Sequence, residues 1–431
     1  MTVALNTLNA RASVAQASTP QWLKNWQQQG QDDFAAQAWP TRKTEAWKYT
    51  SLKGLLDVTW QKSTQSTQST DEPGIRFEHW NEIRLDVVNG QIQDLPTLPD
   101  GVSLRRLTDC SAEQGLAFLA RIDAERNGFL FDSLNQALLD QAYWLSVDPG
   151  VKVVAPIHLN YISQGVDAVS NIQVLVELGK ESSLTLVETF AHAPAGRCFV
   201  NPNTALFVGE LAQLTHYHLM LETGDICHIG RVTATLQAHA SLNAFHMAVG
   251  GKIKRKDIVV RHRGAGARLT LNGVYLPKEN ELIDYHTTLE HEVPHCQSTE
   301  TFRGIIGDKG RAVFNGRIHI HKLAQKSVAE LQNRNLLLSD TAEINTKPEL
   351  EIYADDVRCA HGATIAQLDK NLLFYFQARG IAKPDAEMML SFGFINELLE
   401  ALGDEPVRLL LRPLLEGLFS APGTKLAGDE G

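Results

Sequence analysis

Between residues 150 and 366 the chain repeats a short unit. ESSLTLVE centres on Leu184, ELAQLTHY on Leu214, AHASLNAF on Leu242, GAGARLTL on Leu269, DKGRAVFN on Val313 and SDTAEINT on Ile344. The intervals are 30, 28, 27, 44 and 31 residues. Each unit reads as a turn, a small residue and a short strand of alternating apolar and polar side chains. Such a unit cannot bury its apolar face alone, so its neighbours must stack on it. The period predicts about two turns of a β-helix, or a pair of strands in a sandwich. The long step holds the histidine-rich DYHTTLEHEVPHC, which predicts an insertion or a protruding hairpin there.

The flanks have a different texture. Trp22, Leu23 and Trp26 share a helical face, and helical signals run from 21 to 60 with Trp39-Pro40 as punctuation. QKSTQSTQSTDEPG, 61–74, is polar and low in complexity, which predicts a linker. NEIRLDVVNGQI alternates around Asn89-Gly90, a hairpin signal. Residues 111–145 read as helical, with Leu116, Leu119, Leu134, Leu138 and Leu139 apolar. After 366 the apolar spacing returns to three and four; Gly380 ends one helix and Pro384-Asp385 opens the next. The expected organisation is a mainly helical N-terminal domain over 1–150, a β core over 151–365 and a C-terminal helical domain over 366–431. The first residues read as a frayed polar terminus rather than a transit peptide, and the last ten as a disordered tail.

A formal net charge of −10 argues against nucleic-acid binding driven by bulk charge. No apolar run approaches the roughly 18 residues of a membrane span. Five scattered cysteines, with no CxxC pair and no secretory h-region, predict free thiols in a reducing cytoplasm. Walker A and GxSxG patterns are absent. RHRGAGARLTL has glycines but leads into strand-like alternation, so no helix N-terminus is on offer for phosphate. The acidic residues fall mainly in turns, a weak basis for polysaccharide chemistry.

Several clusters could hold a metal. His216 and His218 in LTHYHLML share a strand face, as do His319 and His321 in GRIHIHKL, and HxH spacing suits a metal once a carboxylate joins. The plain alternative is imidazoles on an outward strand face. A stand-alone histidine-ligated enzyme built on His216 and His218 is the competing functional reading. His286, His291, His295 and Cys296 crowd the expected insertion and could gather a soft metal, or merely reflect a polar loop. Cys359 and His361, in LEIYADDVRCAHGATI, alternate onto one face if 350–365 is a strand. They could be ligands, a nucleophile with its base, or a structural thiol beside a solvated imidazole. Two donors do not close a tetrahedral site.

Four stretches carry a family resemblance: PTRKTEAWKYTSL (40–52), GDKGRAVFNGRI (307–318), NLLLSDTAEINTKPELEIYADDVRCAHGATI (335–365) and LFYFQARGIAKPDAEMML (373–390). With these the chain resembles the SufB/SufD family of iron–sulfur cluster assembly proteins, and its SufD branch more closely. The resemblance implies a mainly β fold, a right-handed parallel β-helix between helical ends. It implies a non-catalytic scaffold subunit in a cytoplasmic complex with a SufB-like paralogue and a SufC-like ATPase, or a homodimer when alone. His361 would be a ligand of iron or of a transient iron–sulfur cluster at the SufB seam, with Cys359 in support. The C-terminal helices, including Phe374, Tyr375, Arg379 and Gly380, would dock the ATPase. Iron acquisition and a reduced flavin bound by the complex are also implied, the flavin without assigned residues.

Overall fold

The computed structural model describes residues 19–62, 75–77, 80–126, 128–192 and 196–419. The expected frayed N-terminus, most of the 61–74 linker and the tail lie outside the described residues; Gln61–Lys62 form a short strand, β1. The remaining strands are β2 (Ile83–Val88), β3 (Gln91–Ile92), β4 (Val102–Arg106), β5 (Gln141–Val147), β6 (Ile157–Ser163), β7 (Ala168–Leu178), β8 (Ser183–His192), β9 (Cys198–Val208) and β10 (Gln213–Met220). They continue as β11 (Ile226–Leu236), β12 (Ser241–Val249), β13 (Ile253–His262), β14 (Arg268–Leu276), β15 (Leu282–His291), β16 (Gln297–Ile306), β17 (Arg311–Ile320), β18 (Val328–Leu337), β19 (Glu343–Ile352) and β20 (Arg358–Gln367). The α-helices are α1 (Gln21–Ala36), α2 (Lys53–Leu56), α3 (Ala112–Ala124), α4 (Leu130–Ala137), α5 (Lys370–Gln377), α6 (Lys383–Glu400) and α7 (Glu405–Phe419).

From β5 onward the chain winds a parallel β-solenoid of about eight coils. Odd-numbered strands stack in one sheet and even-numbered strands in the other, every neighbour parallel. The sequence period is one full coil, two strands long. Leu184, Leu214, Leu242 and Leu269 are direct ladder partners in the even sheet, on β8, β10, β12 and β14. Val313 and Ile344 lie on β17 and β19 of the odd sheet. The 44-residue step is therefore a coil and a half, crossing from one sheet to the other. The expected insertion is absent: Leu282–His291 is an ordinary strand paired along its length with β13 and β17.

One corner recurs in every coil. Gly150, Glu181, Leu211, His239, Gly266, His295 and Lys326 all adopt left-handed backbone. They follow one another at coil spacing, and each donates its N–H to a carbonyl of the next coil, for example His239 to Ala265 and Lys326 to Asp356. That conformation costs a side-chain-bearing residue roughly 1–2 kcal/mol. The hydrogen bond between coils offsets part of that cost and stacks the corners.

The inner faces of both sheets enclose one core, with Leu186, Leu242 and Leu271 from the even sheet against Val176, Val232 and Val260 from the odd. Parts of the outer faces are covered too. Ile395 and Leu398 of α6 and Leu411 of α7 pack on Tyr217, Phe245 and Val274. Trp47, Trp60 and Phe131 pack on Phe199 and Ile229. The TEAWKYT segment is pinned there by Arg255, which is 1% exposed. Its guanidinium lies 3.8 Å from the Trp47 ring centre and 3.0 Å from Asp284, and it also donates to the Ala46 carbonyl. Thr50 donates to the same Asp284 carboxylate.

The helical readings need two amendments. α1 stops at Ala36, and only a single 3-10 turn at 45–47 and the short α2 follow before 60. α3 begins at a capping box between Ser111 and Gln114. The helical pattern expected to 145 ends at Ala137, because QAYWLSV pairs into the solenoid as β5. Among the described residues, five strands thus lie before residue 150 beside the expected helices. Asn89 and Gly90 do form the hairpin turn between β2 and β3, both with positive φ as a type I′ turn requires. After β20, Gly380 takes φ +83° and closes α5, and Pro384 sits in the first turn of α6.

The interior also holds Glu300, fully buried, with Thr287 nearby and no well-formed hydrogen bond to either carboxylate oxygen among the described residues. Burial pushes its pKa up to about 8. A raised carboxyl pKa means stability is intact below the unfolded value near 4.5 and is lost as pH climbs through 8. Glu300→Gln should therefore raise the urea midpoint more at pH 8 than at pH 5; equal gains at both would show that ionisation at this site is not the cost.

Candidate functional site

The two ends of the solenoid are finished differently. At the N-terminal end, antiparallel β4 covers β5, and β2 with its hairpin partner β3 covers β6. At the C-terminal end, β19 and β20 are the last strands of their sheets. Each is ten residues long, and no described strand pairs with its outer edge. Ile352, Tyr353 and Ile365 are 42%, 64% and 51% exposed there.

Register places the late cysteine and histidine. Cys359 pairs with Ala329, and His361 with Leu331; both β18 residues are fully buried in the core. Paired residues of parallel strands point to the same face, so Cys359 and His361 are core positions of a coil with nothing stacked on it. The two share a face, as the strand reading expected. Cys359 is half-buried against the core, and burial lifts its thiol pKa above the ordinary value, so it stays a thiol at neutral pH. The His361 side chain is exposed and has no hydrogen-bond partner among the described residues. No third His, Cys, Asp or Glu among the described residues completes a metal-sized group with this pair.

The other histidines separate. His216 and His218 face inward and are fully buried, which overturns the outward-face alternative. His216 Nε2 lies 2.8 Å from Glu188, while His218 stacks on His246 at 5.1 Å. Burial holds His218 and His246 well below the usual imidazole range, with Lys256 adding to the effect. Burial also lowers Lys256 itself to about 8. Nearby, burial depresses His228 to about 4 even though it contacts Glu222 at 2.8 Å. Burial alone would raise Glu222; Lys254 and His228 hold it well below the carboxylate range. These are buried imidazoles and ion pairs inside a packed core, and no three of them bring ligand atoms within 4.8 Å of one another.

The supposed insertion cluster also disperses. His286 pairs with Asp284 at 3.0 Å. His291 bonds Ser298 inside the core and stacks on His262 at 4.2 Å. His295 occupies the left-handed corner, and burial raises the Cys296 thiol to about 11. All five cysteines are free, as expected.

His319 and His321 gain the carboxylate that their spacing lacked. Glu290, on the neighbouring β15, is the ladder partner of His319. His319 Nδ1 and His321 Nε2 lie 2.6 and 2.8 Å from one oxygen, Glu290 Oε2. Glu290 was missed in the sequence because it lies 29 residues away; one coil is the signal that would have found it.

Beyond the solenoid, α6 and α7 are fastened to the even sheet. Arg303 bonds the Phe394 carbonyl and pairs with Glu397, and Tyr217 donates to Asp404 at 2.6 Å. α5 is different: none of its residues is buried. Phe374 and Tyr375 are exposed, and Arg379 stacks on the Tyr375 ring at 3.5 Å, just before the Gly380 turn.

Residues 161–394 match the family described as the SUF system FeS cluster assembly, SufBD core domain. The chain is 32% identical over 382 residues to the iron–sulfur cluster assembly protein SufD of Escherichia coli, covering 86% of each. It is 25% identical over 397 residues to a SufBD family protein of Synechocystis, covering 88% of this chain and 87% of that one. It is 28% identical over 397 residues to the chloroplast protein ABCI7 of Arabidopsis thaliana, covering 88% of this chain and 83% of that one.

Proposed function

Because the chain belongs to the SufBD family and serves iron–sulfur cluster assembly in the SUF system as a scaffold-type member, we propose that it works by lending one half of a composite site to a SufB-like paralogue. The observation that carries this reading is the unfinished coil, where Cys359 and His361 occupy core positions and stay uncovered. A paralogue adding strands to the edges of β19 and β20 satisfies their open hydrogen-bonding groups and covers the exposed Ile352, Tyr353 and Ile365. Iron and the nascent cluster are cargo at that seam. His361 offers an imidazole nitrogen, Cys359 a thiol whose proton is released to water as the metal takes the sulfur, and the paralogue supplies the remaining thiolate.

In this reading residues 151–365 are the scaffold, flanked by N-terminal and C-terminal domains over 1–150 and 366–431. α5, with Phe374, Tyr375, Arg379 and Gly380, docks a SufC-like ATPase, whose cycle opens and closes the seam and supports iron acquisition. The setting is the cytoplasm; no described helix is long and apolar enough to cross a membrane. Without the paralogue, two copies of this chain are expected to meet by the same edges. A reduced flavin would be held by the assembled complex rather than by a phosphate loop in this chain, since RHRGAGARLTL turns a solenoid corner at Gly266 and enters β14 rather than a helix.

Co-purification tests the docking. The tagged chain should retain both a paralogue and an ATPase, and Phe374→Ala/Arg379→Ala should lose the ATPase alone. Retention of the ATPase at the parent level would place its dock elsewhere.

The competing stand-alone enzyme on His216 and His218 has little to work with, since both imidazoles are sealed in the core and only His216 contacts a carboxylate.

A further inference from the structure

We propose that Glu290, His319 and His321 form a binding site for a first-row divalent cation on the outer face of the odd sheet, separate from the Cys359–His361 edge. It goes beyond the seam described above and does not depend on it.

The donor set comes from three facts of the fold. His319, near the end of β17, and His321, one residue past it, are two apart, and their imidazoles leave on the same side and stack, ring centres 4.0 Å apart. Glu290 is brought alongside because one coil carries β15 to β17 in register. The three ligand atoms all lie within 4.8 Å of one another, and among the described residues this is the only His/Cys/Asp/Glu group of three that does so. The side chains of Glu290, His319 and His321 are 16%, 18% and 41% exposed, so an ion can arrive from solvent.

The geometry suits exchange of protons for a metal. Both imidazoles now address one carboxylate oxygen, at 2.6 and 2.8 Å. Ligands on a tetrahedral ion with bonds near 2.1 Å stand about 3.4 Å apart, so the group needs to open by less than about 1 Å. The other carboxylate oxygen is held by Arg317 at 3.2 Å. Arg317 is itself drawn off toward Glu351 at 2.8 Å, which offsets its charge and leaves Glu290 Oε2 as a monodentate ligand. Tyr353 packs edge-on against His319 at 5.4 Å and limits its rotation. Two imidazoles and one carboxylate with the remaining positions open is the ligand set of non-haem Fe(II), and it also accepts Co(II), Ni(II) and Zn(II). A closed structural zinc site would need a fourth protein donor, and none among the described residues joins the group.

Cobalt(II) is the probe. The purified full chain, stripped of metal, should bind one equivalent with weak visible ligand-field bands and no intense thiolate charge-transfer band, and Fe(II) added without oxygen should compete for it. His319→Ala/His321→Ala should lose that equivalent. Glu290→Gln, a second variant that keeps the side chain's size, should weaken it by about 100-fold or more, beyond the range of outer-shell changes. Cys359→Ser/His361→Ala should keep it. Equal Co(II) binding by the parent and the His319/His321 variant, or loss only in the Cys359/His361 variant, overturns the proposal and leaves Glu290 as an ion-pair partner. The measurement uses the chain alone, so its failure would leave the paired scaffold untouched.

Discussion

His361→Ala is expected to fold, pair with its paralogue and hold its ATPase like the parent chain, yet to drop cluster maturation in cells to the background of a strain lacking the chain. The separation follows from where the side chain sits. His361 continues a column of core positions, Glu300 then Leu331, but nothing lies over it and nothing hydrogen-bonds to it among the described residues. Removing an exposed, unpartnered side chain costs within about 0.5 kcal/mol of stability. Any loss of maturation is then chemical. Cys359→Ser should do less damage to the chemistry and more to the fold, because that thiol is half-buried against the core and kept protonated by its burial. Normal maturation with His361→Ala would remove this residue from the site. Failure of the complex to assemble would instead make it a structural part of the seam.

The repeating unit was legible because each coil must place an apolar residue at the same inner position, so Leu184, Leu214, Leu242 and Leu269 recur at coil length. What the period could not tell was which sheet a unit belonged to. Inner positions of both sheets look alike in sequence, and a half-coil slip between Leu269 and Val313 passed for an insertion. His295 misled for a related reason: it stands where Gly266 stands one coil earlier, at a corner that tolerates any residue whose N–H reaches the next coil.

The site was half legible. Alternation sufficed to put Cys359 and His361 on one face, whereas only the ladder to Ala329 and Leu331 reveals that the face is the core. His216 and His218 carry the same local pattern as His319 and His321, yet one pair is sealed inside and the other opens outward. HxH spacing is blind to which face of the strand it lies on. Glu290 stayed hidden because a partner one coil away is invisible to local motifs. TEAWKYT, by contrast, is explained by packing: Trp47, Ala46 and Thr50 converge on Arg255 and Asp284.

The second large effect is expected at the edge itself. Ala363→Lys/Ile365→Lys should abolish pairing with the paralogue while leaving the isolated chain's melting temperature unchanged. Both residues stand in core columns, paired with the buried Asn333 and Asn335 of β18, yet both are exposed in the last coil. In the free chain a lysine at either position keeps its ammonium in water. Once a further coil is laid over β20, the same ammonium is shut in beside the neutral amides of Asn333 and Asn335, without a counter-charge. An unpaired charge buried at an interface costs about 2–5 kcal/mol, roughly 30-fold or more in affinity for each position. The variant also separates the two docking surfaces, since α5 is untouched and the ATPase should still be retained. If the double lysine variant recovered the paralogue at the parent yield, the partner would have to join elsewhere, and the exposed Ile352, Tyr353 and Ile365 would need another cover.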